Sequence, residues 1–376
     1  MRSSARANGT TRTIAIHPAT THREVGWLAS ETEDGSAGNG CIGSSKVFHR
    51  ILYYEDNAMT IRKSIIQKNE NIPAFTSFHQ ALMNWFSEAA RDLPWRRTRD
   101  PYCIMVAEVM LQQTQVDRVL PKYEAFITCF PTLQALADAP TAEVIRLWSG
   151  LGYNRRAVNL QRAAREIVER FDGVFPRDVA TLLSLPGIGP YTAGAIACFA
   201  FEQDVAFMDT NIRRVIRRAL TDPAATVGDR DLLALAQAAL PTGRSWMWNQ
   251  ALMELGSLIC TADSPACWRC PLRDLCCDYA GRRASDERLE ATPVRKRIAE
   301  RRERPFVGSN RYFRGRAISA LRALPPGTTL DLAELGPQVR PDYTPNDEAW
   351  LVALLNGLER DGLVVWHGNG VRLPEE

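Results

Sequence analysis

Between residues 77 and 280, apolar residues recur at the three-to-four spacing of amphipathic helices, segment after segment. The pattern predicts helices over Phe78–Ala90, from Pro101 onward, and over Leu120–Thr128, Ala142–Trp148, Arg155–Phe171 and Val179–Leu183. It continues with Thr192–Phe201, Asn211–Leu220, Asp231–Leu240 and Trp246–Leu258. Ser77 is placed to cap the first of them. Alternating strand patterns are almost absent, and the connections carry Gly or Pro (Gly150–Gly152, Gly173–Pro176, Pro186–Pro190). The expected core is an all-α domain with short connections, residues 74–280.

The flanks differ. Residues 1–73 are rich in Ser, Thr, Gly and Asn with little hydrophobic period, which predicts a disordered extension. Met59 offers an alternative start, so residues 1–58 are expected to lie outside the natural product. Residues 281–308 are charged and read as a basic linker. Beyond it, Tyr312–Leu324, Leu330–Leu335 and Asp347–Asp361 read as helices. Leu363–Trp366 and Val371–Leu373 flank the turn His367–Gly370 as a hairpin. Three helices and a hairpin over 309–376 is the order of a winged-helix-like α+β module; a small domain without a role on DNA has the same order.

Composition bounds the function classes. The chain has 376 residues, enough for two or three domains, and a net charge of +3 that identifies no partner. Local clusters are more informative: Arg91, Arg96, Arg97 and Arg99; Arg213, Arg214, Arg217 and Arg218; and the run from Arg295 to Arg304. They suit phosphate neutralisation, although each alone fits a solvated helix face. No run is apolar enough to span a bilayer, and the N-terminus has no apolar core of the secretory kind. Five of the nine cysteines crowd between 260 and 277, a pattern of a metal site in a reducing compartment.

Four motifs carry chemistry. Cys260-x6-Cys267-x2-Cys270-x5-Cys276 puts four thiols in one short loop, the ligand set of a zinc ion or of a 4Fe–4S cluster. Cys277, adjacent to Cys276, leaves the fourth ligand open on spacing alone. Leu185-Pro186-Gly187-Ile188-Gly189-Pro190-Tyr191 joins two helices. Gly187 and Gly189 would let a DNA phosphate approach the free N–H groups of the next helix. Asp209-Thr210-Asn211 opens a helix, where an acid ordinarily caps. The apolar Val205–Met208 before it points instead to a buried carboxylate, able to oppose a cationic transition state. Glu108, in Ala107-Glu108-Val109-Met110-Leu111-Gln112-Gln113-Thr114-Gln115, sits among apolar neighbours. Such a carboxylate is either ion-paired or raised in pKa, and the second state suits a general acid.

In chain order, from the Glu108 segment through the hairpin and Asp209-Thr210-Asn211 to the cysteine loop, the motifs resemble the helix-hairpin-helix DNA glycosylases, in the iron–sulfur branch that contains endonuclease III. LPWR (93–96), AEVMLQQTQV (107–116), GLGY (150–153) and MELG (253–256) resemble the MutY-type adenine glycosylases. The resemblance covers a little over half the chain. It implies a 4Fe–4S cluster on Cys260, Cys267, Cys270 and Cys276, and base flipping from double-stranded DNA that contains a mispair. It implies that Glu108 protonates adenine N7, that Asp209 stabilises an oxocarbenium-like sugar, and that Asn211 and Glu254 support them. Trp95 and Arg96 would line the base pocket, with Thr114 and Leu151 beside the DNA, and Gln113 and Tyr153 would wedge into the duplex. Lyase-competent relatives carry lysine where this chain has Tyr191, so a monofunctional enzyme is expected. The expected state is a cytoplasmic monomer.

Two departures stand out. Asn154 replaces a second aromatic after GLGY, and 309–376 is too short and helical for the Nudix-like domain that reads 8-oxoguanine in MutY-type enzymes. Thymine or uracil mismatch glycosylases share the Pro94–Tyr102 stretch and a tyrosine at 191; Gln112-Gln113 favours adenine. A non-catalytic DNA-binding protein and a zinc-dependent regulator are the rivals from other classes.

Overall fold

The structure is a computed structural model that describes residues 75–284 and 306–375. The expected N-terminal extension, the alternative start and most of the linker lie outside the described residues.

The first part is helical throughout its described length: α1 (Phe75–Ala89), α2 (Pro101–Leu111), α3 (Val116–Cys129), α4 (Leu133–Asp138), α5 (Thr141–Leu147) and α6 (Arg155–Phe171), then α7 (Val179–Ser184), α8 (Pro190–Phe201), α9 (Thr210–Leu220), α10 (Asp229–Ala238), α11 (Ser245–Leu258) and α12 (Cys277–Ala284). Capping explains most boundaries. Asp100, Thr132, Asp178 and Asp209 each accept a hydrogen bond from the first turn of α2, α4, α7 and α9. Asp172 and Glu202 end α6 and α8 in the left-handed conformation. Ser77 does not cap α1: the helix starts earlier, at Phe75, whose ring stacks on His79 at 6.1 Å. The core includes Phe78, Met105, Phe126, Trp148, Ile196 and Trp248. Within it α2 packs on α8, and α9 packs on α11.

The second part runs α13 (Asn310–Arg322), β1 (Leu330–Asp331), α14 (Leu332–Val339), α15 (Glu348–Arg360), β2 (Val365–His367) and β3 (Gly370–Arg372). The antiparallel sheet has the order β1-β3-β2, with Leu330 opposite Val371 and Trp366 opposite Val371 on the other side. This is the winged-helix order. The expected helix at Leu330–Leu335 is corrected: Leu330–Asp331 pairs with β3, and Asp331 then caps α14 by accepting from Glu334 N at 2.7 Å. A two-residue strand is too short to show a period. The core of this module is continuous with the first part, since Ala142, Ile145 and Val158 of α5 and α6 pack with Ile318, Leu321 and Leu355.

Candidate active site

Glu108 lies on the last turns of α2 and is almost fully buried. Burial lifts its carboxyl to about 7, offset in part by a hydrogen bond from Tyr191, whose hydroxyl donates to Oε2 at 2.7 Å. Tyr191 stands in the first turn of α8, immediately after the hairpin. Burial, reinforced by the two nearby carboxylates, pushes the phenol well above its ordinary range, so it remains a donor. Of the two sequence options for Glu108, the structure shows the raised carboxyl, with no ion pair to it among the described residues.

Asp209 caps α9 and is half-buried there. One oxygen caps α9, accepting from Ile212 N at 2.6 Å, and the other accepts from the Asn211 amide at 2.8 Å. Burial raises its pKa while these hydrogen bonds lower it. Charge on either Asp209 or Glu108 disfavours charge on the other. Asn211 is held in turn by Arg214, which donates to its Oδ1 at 2.8 Å. Gly256 of α11 lets α9 approach closely, because a Cβ there would meet Asn211 Cβ at 2.6 Å. The pair therefore offers one acid protonated near neutral pH and one carboxylate held by two donors, the split of roles that acid-assisted bond cleavage needs.

The hairpin lies beside this pair. Gly187 has φ +76 and fits against Asn159, where any Cβ would sit 2.7 Å from Asn159 Cβ. Gly189 is the N-cap of α8 and has open space where a side chain would be, leaving the helix N-terminus accessible. A cavity between α2, α6 and the hairpin is lined by Val109, Gln112, Arg156, Asn159, Leu160, Pro186 and Gly187.

Gln113 and Tyr153 both adopt positive φ, +55 and +45, a conformation non-glycine residues rarely hold. Arg156 links their loops, a role that no sequence pattern marks. Its Nη1 donates to Val109 O, Met110 O and Gln112 O at 2.8, 3.0 and 2.7 Å. Its Nη2 donates to Thr114 Oγ1, Leu151 O and Gly152 O at 3.2, 3.0 and 3.2 Å. Burial pulls this guanidinium down to about 10. Arginine runs read as surface charge, and only the fold shows which one turns inward.

The remaining expected residues fall in two groups. Trp95 is buried with its ring edge-on to Tyr123 at 5.3 Å, so the structure places it in the core. Glu254 is buried and fully engaged: Arg91 N, Nε and Nη2 donate to it at 3.0, 2.8 and 2.8 Å, and Arg96 Nη2 at 2.8 Å. Burial would raise Glu254, but these donors bring it down to about 2. Leu151 is buried, and its carbonyl is one of the acceptors of Arg156.

Cys260, Cys267, Cys270 and Cys276 line one cavity with Ile259, Pro265 and Tyr279; Cys277 is not among its lining residues. Arg218 Nη1 donates to Cys260 Sγ at 3.5 Å and Arg282 Nη2 to Cys267 Sγ at 3.7 Å. No trio of His, Cys, Asp or Glu among the described residues is gathered as a ligand set for a single ion; the four sulfurs instead stand around the cavity. That donor set fits a cluster held by four thiolates.

The helical domain thus joins a glycine hairpin feeding α8, a capped and half-buried aspartate at the start of α9 and a buried acid on α2. Residues 106–227 match the family model of the HhH-GPD superfamily base excision DNA repair proteins. Within that superfamily the chain belongs to the adenine DNA glycosylase family. It is 44% identical over 243 residues to the adenine DNA glycosylase of Mycolicibacterium smegmatis, covering 64% of this chain and 79% of that one. The human adenine DNA glycosylase is 42% identical over 234 residues, covering 59% of this chain and 42% of the human protein. Among solved structures, a thermostable thymine-DNA glycosylase is similar with a TM-score of 0.52 and 30% identity, over 55% of this chain and 97% of that one. No helix among the described residues is long and apolar enough to cross a membrane.

Proposed function

We propose that this protein removes adenine from mispairs in double-stranded DNA by hydrolysing its N-glycosidic bond, as a monofunctional glycosylase. The observation that carries the reading is Glu108, a carboxyl held at about 7 beside Asp209 and bonded to Tyr191. In this reading neutral Glu108 protonates N7 of the flipped adenine and makes the base a leaving group. Asp209, fixed by Ile212 N and Asn211, faces the positive charge that develops on the sugar. Tyr191 has no amine to form an imine with the sugar, so the product is an abasic site on an intact strand. Gly187 and Gly189 admit a phosphate to the start of α8, Arg96 shapes the base pocket with the core residue Trp95 only backing it, and Gln113 and Tyr153 enter the duplex. Glu254 supports the pocket through Arg91 and Arg96, and Thr114 and Leu151 through Arg156. The four cysteines would hold a 4Fe–4S cluster that orders the loop 260–276. The family likeness to adenine DNA glycosylases supports adenine over thymine, although the solved thymine-DNA glycosylase shares the fold.

The test uses duplexes with A:8-oxoG, A:G, T:G and U:G, each treated with alkali after incubation. Cleavage at adenine alone is expected, with no adduct trapped by borohydride. Glu108→Gln and Asp209→Asn are each expected to lower the rate by at least about a thousandfold, ~4 kcal/mol of barrier. Cleavage at T or U, or near-normal rates in both variants, would overturn the assignment.

A further inference from the structure

The loop that carries Tyr153 is gripped from two sides. Tyr153 is 44% exposed with its backbone in the left-handed region, a conformation its surroundings have to maintain. Arg156 of the catalytic domain holds the carbonyls of Leu151 and Gly152 from beneath. The second grip comes from α13, in the C-terminal module. The Arg311 guanidinium lies 4.9 Å from the Tyr153 ring centroid and donates to its hydroxyl. Its distance to the Phe306 ring centroid is also 4.9 Å, so the cation is shared by two aromatic faces. At the other end of α13, the largely buried Arg322 donates from Nη2 to Asn154 Oδ1 at 2.8 Å.

Arg311 and Arg322 are eleven positions apart, close to three whole helical turns, so one face of α13 meets two consecutive residues of the loop. That face is fixed on the catalytic domain. Ala317, Ile318 and Leu321 pack on Ala142, Ile145 and Val158, and Asp361 accepts from Arg314 and forms an ion pair with Arg155. By contrast α15, in the position of a recognition helix, exposes Glu348 and Glu359 beside Arg360. With two acids and one arginine, this helix offers no net positive charge to hold phosphate.

We propose that the C-terminal module braces the DNA wedge: Arg311 and Arg322 are positioning residues that hold Tyr153, in its left-handed backbone conformation, and the neighbouring Asn154 in place to displace the target base. Asn154, which stands where MutY-type sequences carry an aromatic, is the anchor that makes the brace specific to this chain. The inference rests on the adenine-excision reading, in which Tyr153 enters the duplex.

Single-turnover excision by the full chain separates the two. Arg311→Ala and Arg322→Ala are compared on an A:G duplex and on adenine already unpaired in a bulge, with 2-aminopurine fluorescence at the target position reporting extrusion. Each variant is expected to lose about tenfold in rate on the duplex, ~1.4 kcal/mol of barrier, and to give a smaller fluorescence rise. Excision from the bulge stays near wild type, and Arg311→Lys recovers part of the duplex rate. Arg316→Ala, whose guanidinium bonds Gln338 O within the module, leaves both substrates unaffected. Equal losses on duplex and bulge, or no loss at all, overturn the brace; Arg311→Ala alone decides if Arg322→Ala fails to fold. A wild-type chain inert on adenine in both substrates would instead overturn the excision reading.

Discussion

Glu108 and Asp209 are separated by about a hundred residues in the chain, yet each influences the other's charge in the fold. The sequence supplied their candidacy through composition: an acid amid Ala107, Val109 and Met110, and an acid after Val205–Met208. It left open whether Glu108 was paired or raised, because the deciding partner, Tyr191, arrives from another helix. That hydrogen bond favours the ionised carboxylate and so holds the Glu108 pKa below where burial alone would put it. Tyr191→Phe keeps the ring that packs edge-on to Phe207 at 5.5 Å and removes only the donor. The Glu108 pKa then rises. Its acid form is present below the pKa and lost above it, so wild-type excision should decline as pH passes about 7. In Tyr191→Phe this alkaline limb should move to higher pH. A pH–rate profile of single-turnover excision checks it, and an unmoved or acid-shifted limb would show that Glu108 is not the titrating acid.

At the scale of elements, the sequence revealed helices well where the amphipathic period ran long, as in α6, or where a capping residue marked the start, as in α7 and α9. It failed at β1, which is two residues long, and placed the start of α1 too late because Ser77 has the chemistry of a cap without its position. It was also silent on how elements are tied. Glu254 of α11 came forward as a site residue, yet all the hydrogen bonds the structure assigns it run to the segment before α2, through Arg91 and Arg96. Arg96 further donates to Gln250 Oε1 at 2.8 Å and to Arg91 O at 2.9 Å, so α11 fixes the whole turn at 91–96. Glu254→Gln leaves two guanidinium groups facing a neutral amide. The expected loss is about 3 kcal/mol, the range for breaking a buried ion pair. Because Glu254 is depressed to about 2 in the fold, its stabilisation is complete above the ordinary glutamate range and fades as pH falls toward 2. Urea denaturation should therefore show a gap between wild type and Glu254→Gln at pH 7 that narrows at pH 3. A gap independent of pH would assign the loss to packing rather than to charge.

For the molecule as a whole, the cysteine loop was the best-specified motif in the sequence and is the segment least able to order itself. Between Cys260 and Cys276 the described structure has only two 3-10 turns, Cys267–Arg269 and Arg273–Leu275, and Leu272 is the one residue of the loop buried in the core. What spacing could not show is the connection back to the site. Arg218, on the last turn of α9, donates to Cys260 Sγ, to Thr261 O at 2.7 Å and to Ala262 O at 2.8 Å, while Cys276 donates to Arg218 O at 3.4 Å. Asp209 caps the opposite end of the same helix. A bound cluster would therefore staple the loop, and the loop would anchor the helix whose start presents Asp209. Cys270→Ser removes one ligand without adding volume. Elemental analysis should find about four irons per wild-type chain, as a 4Fe–4S site requires, and a marked deficit in the variant. The melting temperature should fall by roughly 2–4 °C for each kcal/mol of lost stability, and excision should weaken with it while the alkaline limb set by Glu108 stays in place. A wild-type chain without iron would remove the cluster from the proposal. A Cys270→Ser chain as stable and as active as wild type would cut the link between the loop and α9.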